Sequence, residues 1–184
     1  MHQNEIYLRH EIYVHFVLCE HRVRRHRFSL LRKTKIVVPM NYNFSKSLHL
    51  FGLIMIPIKI NGNERYFLLD TGSQANGVCD TYQEDMKNFS PSGEKILSRG
   101  LNGKTAETDY GELIYEIGKY ICKSEFFIID GNTFNFFKEE TGIQISGILG
   151  TPFMLQHNCV IDLIKGMLTL NIEDASQKEE SQAA

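Results

Sequence analysis

Residues 64–73 read E-R-Y-F-L-L-D-T-G-S. Tyr66, Phe67, Leu68 and Leu69 make an apolar, strand-like run that delivers a carboxylate, Asp70, and the chain then turns through Thr71 and Gly72. A carboxylate at the end of a buried strand costs free energy unless something pairs with it or uses it. Alone, Asp70-Thr71-Gly72 fits two readings: a turn closing a strand, where Asp and Gly are common, or a chemical site. The surrounding sequence decides between them.

Upstream, Ile54, Ile56, Ile58 and Ile60 alternate with period two, as β-branched residues on one face of a strand do. Asn61-Gly62 follows, a two-residue hairpin signal because a type I′ turn needs positive φ at both positions. The whole run L-H-L-F-G-L-I-M-I-P-I-K-I from Leu48 reads as strand. It falls short of the ~18 continuous apolar residues of a membrane span. Downstream, Thr81 to Gly93 is polar, with a short helix expected in T-Y-Q-E-D-M-K. K-I-L-S-R-G-L-N-G-K-T-A-E-T then reads as a second hairpin turning at Asn102-Gly103, and two further strands join at Gly118-Lys119. A loop is expected from Gly131 to Thr141. I-S-G-I-L-G-T-P-F-M-L-Q-H reads as an apolar strand to Leu149, a turn at Gly150, and a short helix. Thr151 is placed to cap that helix, with Pro152 at its first position. A last hairpin closes at Lys165-Gly166.

The expected organisation is one all-β domain over residues 48–170 with one or two short helices. A basic extension, 1–47, precedes it and a polar tail, 171–184, follows. Of the chain's 184 residues, 1–47 hold nine Lys/Arg against three Asp/Glu, leaving eleven against nineteen for the remainder. A basic run can bind nucleic acid, but this one lacks interleaved aromatics on a defined fold and the body is acidic, so no nucleic-acid partner is expected. Met40 could also serve as a start, which would turn the run from Leu48 into a signal-peptide core and the protein into an exported one. Its direct continuation into a hairpin favours a strand, and a cytoplasmic protein with no membrane association. Cys19, Cys79, Cys122 and Cys159 form no C-x-x-C pair, which excludes a zinc ribbon or a dense disulfide scaffold and leaves free thiols. His157 has no second ligand at metal spacing and reads as a helix C-terminal cap. No metal and no cofactor is expected.

D-T-G at the end of an apolar strand, and Ile148-Leu149-Gly150 ending a second one before a short helix and hairpin, together resemble the retropepsin-like aspartic proteases, in particular the small single-domain bacterial kind. The resemblance covers roughly residues 48–170 and includes a glycine-flanked hairpin between the two motifs, where that family carries its flap. It implies a closed, barrel-like all-β acid-protease fold and hydrolysis of peptide bonds in a protein or peptide substrate. In that chemistry two adjacent carboxylates share one proton, because two like charges side by side cannot both ionise cheaply.

The resemblance implies Asp70, Thr71 and Gly72 as catalytic residues. It implies Ser73, Gly100, Leu101, Asn102, Gly103, Ile148 and Gly150 as substrate-binding residues, with the flap tip near Gly100 to Lys104. Ser73 is expected to hydrogen-bond the outer carboxylate oxygen, although retroviral members usually have alanine there. Asp130 and Asp162 also end apolar runs, but neither precedes Thr-Gly, so they read as strand-end aspartates. With a single D-T-G, the second carboxylate is expected from Asp70 of another copy in a two-fold homodimer. The alternative is a retropepsin-like module that binds or dimerises with little or no proteolysis.

Overall fold

The computed structural model describes residues 37–99 and 105–173. Structure begins before residue 48. β1 (Val37–Asn43) leads into a helix, α1 (Ser45–Phe51), so the apolar run from Leu48 is not one strand. Its first part completes α1, which stops because Gly52 takes the left-handed conformation at φ 66° and its N–H returns to the Leu48 carbonyl. The strand proper, β2 (Met55–Ile60), comes after. Ile56, Ile58 and Ile60 on one of its faces are buried, as the period-two pattern requires.

Asn61 and Gly62, at φ 54° and 76°, turn the chain into β3 (Asn63–Leu69). Next come β4 (Gly77–Cys79) and a 3-10 turn over Asp85–Asn88. Three long strands follow: β5 (Phe89–Arg99), β6 (Thr105–Ile117) and β7 (Tyr120–Ile129). The loop expected from Gly131 to Thr141 is instead a 3-10 turn, Gly131–Phe134, continuing into α2 (Asn135–Thr141). Asp130 caps that turn by accepting the Asn132 N–H at 2.9 Å, while Phe137 from α2 is buried against Met55 and Ile145. The chain then runs through β8 (Ile145–Leu149), α3 (Thr151–Gln156), β9 (Val160–Asp162) and β10 (Met167–Glu173).

One sheet has the order β2-β3-β8-β4-β7-β6-β5, and β2 also pairs with β6 at Lys59 and Glu116. That last pairing closes six of the strands into a barrel and leaves β5 outside it. A second sheet, β1-β10-β9, packs on the same core. β1 pairs with β10 from Val37 opposite Glu173 to Asn43 opposite Met167, so residues on both sides of the expected boundaries at 48 and 170 belong to the fold. The physical reason is burial: Leu168, Leu170 and Ile172 are fully buried, and half-buried Met40 and Tyr42 from β1 pack against their cluster. Each such side chain contributes roughly 1.5–3 kcal/mol when fully buried. Phe67, Tyr115, Phe126 and Phe153 fill the barrel, with Phe126 meeting both Phe67 and Tyr115 edge to face.

One ion pair fixes the β2–β3 hairpin to the chain after β4. Arg65 donates from Nε and Nη2 to the two oxygens of Asp85 at 2.7 and 3.0 Å. Asp85 is 1% exposed, and this fork gives both of its buried oxygens a charged hydrogen-bond donor.

Candidate functional site

β3 and β8 run parallel, with Leu68 opposite Ile148 and Leu69 opposite Leu149. Their C-terminal ends therefore open into two loops side by side, one bearing Asp70-Thr71-Gly72 and the other Gly150. The pairing continues one step past the strands, where the Asp70 N–H donates to the Leu149 carbonyl at 3.0 Å. Asp70 is half-buried, and Thr71 and Gly72 are exposed. The Gly72 N–H donates to Asp70 Oδ1 at 2.8 Å. Among the described residues no donor reaches the other carboxylate oxygen, which leaves it available to a water or a second carboxyl group.

Gly150 is buried where only glycine fits. A Cβ there would lie 2.4 Å from the Ala75 carbonyl oxygen and 2.8 Å from that of Ser73. Thr151 does not cap α3; the N-cap position is Gly150. Instead Thr151 clamps the D-T-G loop, donating its N–H and its Oγ1 hydroxyl to the Ser73 carbonyl at 2.9 and 3.1 Å. The Ser73 hydroxyl also departs from expectation. It donates to the Ala75 carbonyl at 2.7 Å rather than to Asp70, because the loop curls back on itself there. Ile148 is half-buried in β8, opposite Gly77 of β4 as well as Leu68 of β3.

Asn76 is a residue the sequence reading passed over. It is 2% exposed, and its side-chain oxygen accepts the Gly150 and Phe153 N–H groups at 3.0 and 3.3 Å. Its Nδ2 donates to the Glu125 carbonyl at 3.0 Å. The only sequence signal was a polar residue just ahead of the apolar strand Gly77-Val78-Cys79.

Two parallel strand ends, one carrying D-T-G and the other Ile-Leu-Gly, sit in a closed barrel with a long hairpin between them in the chain. The fold is retropepsin-like. Solved structures similar to this chain include a retropepsin-like aspartic protease from Rickettsia conorii, at 18% identity and a TM-score of 0.48, covering 82% of this chain and 99% of that one. Another is the retroviral protease-like domain of Ddi1 from Leishmania major, at 16% identity and a TM-score of 0.45, covering 69% of this chain and 97% of that domain. No protein-family model and no curated protein sequence matches the chain.

Within this retropepsin-like fold the expected flap residues Gly100, Leu101, Asn102 and Gly103 lie outside the described residues. The arms of their hairpin are described. β5 and β6 pair from Lys95 opposite Asp109 to Arg99 opposite Thr105, and Leu97 on one arm is exposed. Below the arms the register shifts between Pro91 and Lys95, a bulge where Gly93 has φ 82° and the Ser92 hydroxyl donates to the Tyr110 carbonyl at 2.8 Å. A bulge of this kind bends the strand that carries it.

His157, at the end of α3, is 3% exposed, with Nε2 3.0 Å from the Tyr115 hydroxyl and its ring against Phe153. It occupies the C-cap position, and burial lowers its pKa to about 4. Among the described residues no group of three or more His, Cys, Asp and Glu is arranged to hold a metal ion, and no helix is long and apolar enough to cross a membrane. Cys79 and Cys122 are buried thiols and Cys159 is a half-buried one, and burial pushes the first two up to about 12 and the third to about 11.

Proposed function

We propose that the chain is an aspartic endopeptidase whose site is completed by a second copy, so that two Asp70 carboxyl groups meet across a two-fold axis. One carboxylate takes a proton from a water that attacks the peptide carbonyl carbon. The other, protonated, hydrogen-bonds to the carbonyl oxygen and gives up its proton as the tetrahedral intermediate forms. Gly72 holds each carboxyl group in place through its N–H, and Thr71, exposed beside it, ties one copy's loop to the other's. An extended peptide would lie along Ile148 and Gly150 and beneath the hairpin near Gly100 to Lys104, pairing with the chain as an added strand. Closure of that hairpin would exclude water.

The observation that carries this reading is the Asp70 carboxyl group itself, with one oxygen held by a backbone N–H and the other without a donor among the described residues, on a loop clamped to a parallel neighbour. A strand-end turn needs no such clamp. The test is cleavage of an unstructured protein from about pH 3.5 to 7.5, with Asp70→Asn and a statine-type inhibitor as controls. The dyad titrates as a pair, so the rate profile is expected to be bell-shaped and shifted to acid pH. Cleavage lost in both controls supports the proposal. No cleavage by protein shown to be dimeric overturns it in favour of the binding or dimerisation module.

A further inference from the structure

The loop from Asp70 to Asn76 is anchored to one short segment, Leu149 to Thr151, at three points. Its start is held by the Asp70 N–H on the Leu149 carbonyl and its middle by Thr151 on the Ser73 carbonyl. Its end is held by Asn76, whose Oδ1 takes the Gly150 N–H. The first two anchors are largely backbone contacts, whereas the third is a side chain. Gly150, at the N-cap of α3, has no side chain with which to satisfy the first turn of its own helix, and Asn76 supplies the missing acceptor from a distant part of the chain. The other end of the amide reaches β7 through the Glu125 carbonyl, and the Asn76 carbonyl accepts the Phe127 N–H at 2.9 Å.

We propose that Asn76 is a positioning residue for Asp70, fixing the loop on which Gly72 holds the carboxyl group. The proposal rests on the aspartic-peptidase reading for its kinetic test. Only a side chain with an acceptor at one end and a donor at the other serves both sides of this position. Ionised Asp has two acceptors and would face the Glu125 carbonyl with a lone pair. Protonated Asp has one acceptor and one donor, as Asn does. This sets up a test that a purely structural role would not pass.

The experiment compares full-length wild type with Asn76→Ala and Asn76→Asp. Asn76→Ala is expected to lower kcat by roughly 100-fold, the scale on which small misplacements of a catalytic group act, with KM within about threefold of wild type. Asn76→Asp is expected to approach wild-type activity at acid pH and to lose it as the new carboxyl group ionises, narrowing the pH profile on its alkaline side. A lower Tm in Asn76→Ala with unchanged kcat, or an Asn76→Asp profile superimposable on wild type, would overturn the proposal. If Asn76→Ala does not fold, the Asn76→Asp profile decides alone. If the wild type cleaves nothing, the peptidase reading fails separately, and hydrogen exchange of the Gly72 N–H that holds the Asp70 carboxyl group decides. Faster exchange in folded Asn76→Asp at neutral pH supports positioning, and an unchanged rate refutes it.

Discussion

The N–H of Asp70 donates to the carbonyl of Leu149, joining the end of β3 to the end of β8 across the whole middle of the chain. Two features follow from that one bond. The D-T-G loop begins in register with the Ile-Leu-Gly loop, and the two can pack only as closely as Gly150 permits.

Gly150→Ala is expected to force the loops apart, because the new Cβ would meet two backbone carbonyls, Ala75 and Ser73, that cannot rotate away. Overpacking of this kind typically costs about 1–3 kcal/mol. Thermal melting and cleavage of an unstructured protein check it: Tm and kcat are expected to fall together. An unchanged Tm would mean that the loops have slack the contacts do not show.

His157 makes stability depend on pH. Burial lowers its folded pKa to about 4 from an ordinary 6.5, so between those values the unfolded chain binds more protons than the native one. This contribution is fully present above pH 6.5 and is lost as pH falls towards 4, a change on the order of 3 kcal/mol. His157→Gln is expected to remove the slope. Urea midpoints of both proteins across that window measure it, and parallel curves would exclude His157 as the cause. The same slope would set an acid limit on the proposed peptidase.

Arg65 and Asp85 form a buried fork, and breaking such a pair from one side typically costs about 3–5 kcal/mol. Arg65→Met leaves the buried Asp85 carboxylate without its fork, so the variant is expected to lose stability on that scale. Asp85→Asn in the same background is expected to recover part of that loss. Denaturant titrations check both points, and an Asp85→Asn change that recovers none of the loss would contradict the account.

What the sequence disclosed was local. Asn61-Gly62, Gly118-Lys119 and the Asp70 strand end are written in adjacent residues, and each lies where it was read. α1 was missed because Leu48 to Phe51 is as apolar as the strand after Gly52, so hydrophobicity alone does not mark the boundary. The extension before residue 48 looked foreign to the domain because β1 earns its place only opposite β10, at the other end of the chain. Asn76 and the Arg65–Asp85 fork escaped notice, and Thr151 was read as a helix cap rather than a clamp on Ser73, for the same reason. Each acts through partners remote in sequence, and no short window records what an amide or a carbonyl will meet.

The central claim is that two copies of Asp70 make one site. Co-refolding wild type with Asp70→Asn in varied proportions, at fixed total concentration, tests it by peptidase rate. If both carboxyl groups are needed, activity falls as the square of the wild-type fraction, to about a quarter at an equal mixture. A fall to about a half, linear in that fraction, would mean that each chain works with its own Asp70 alone and would contradict the account.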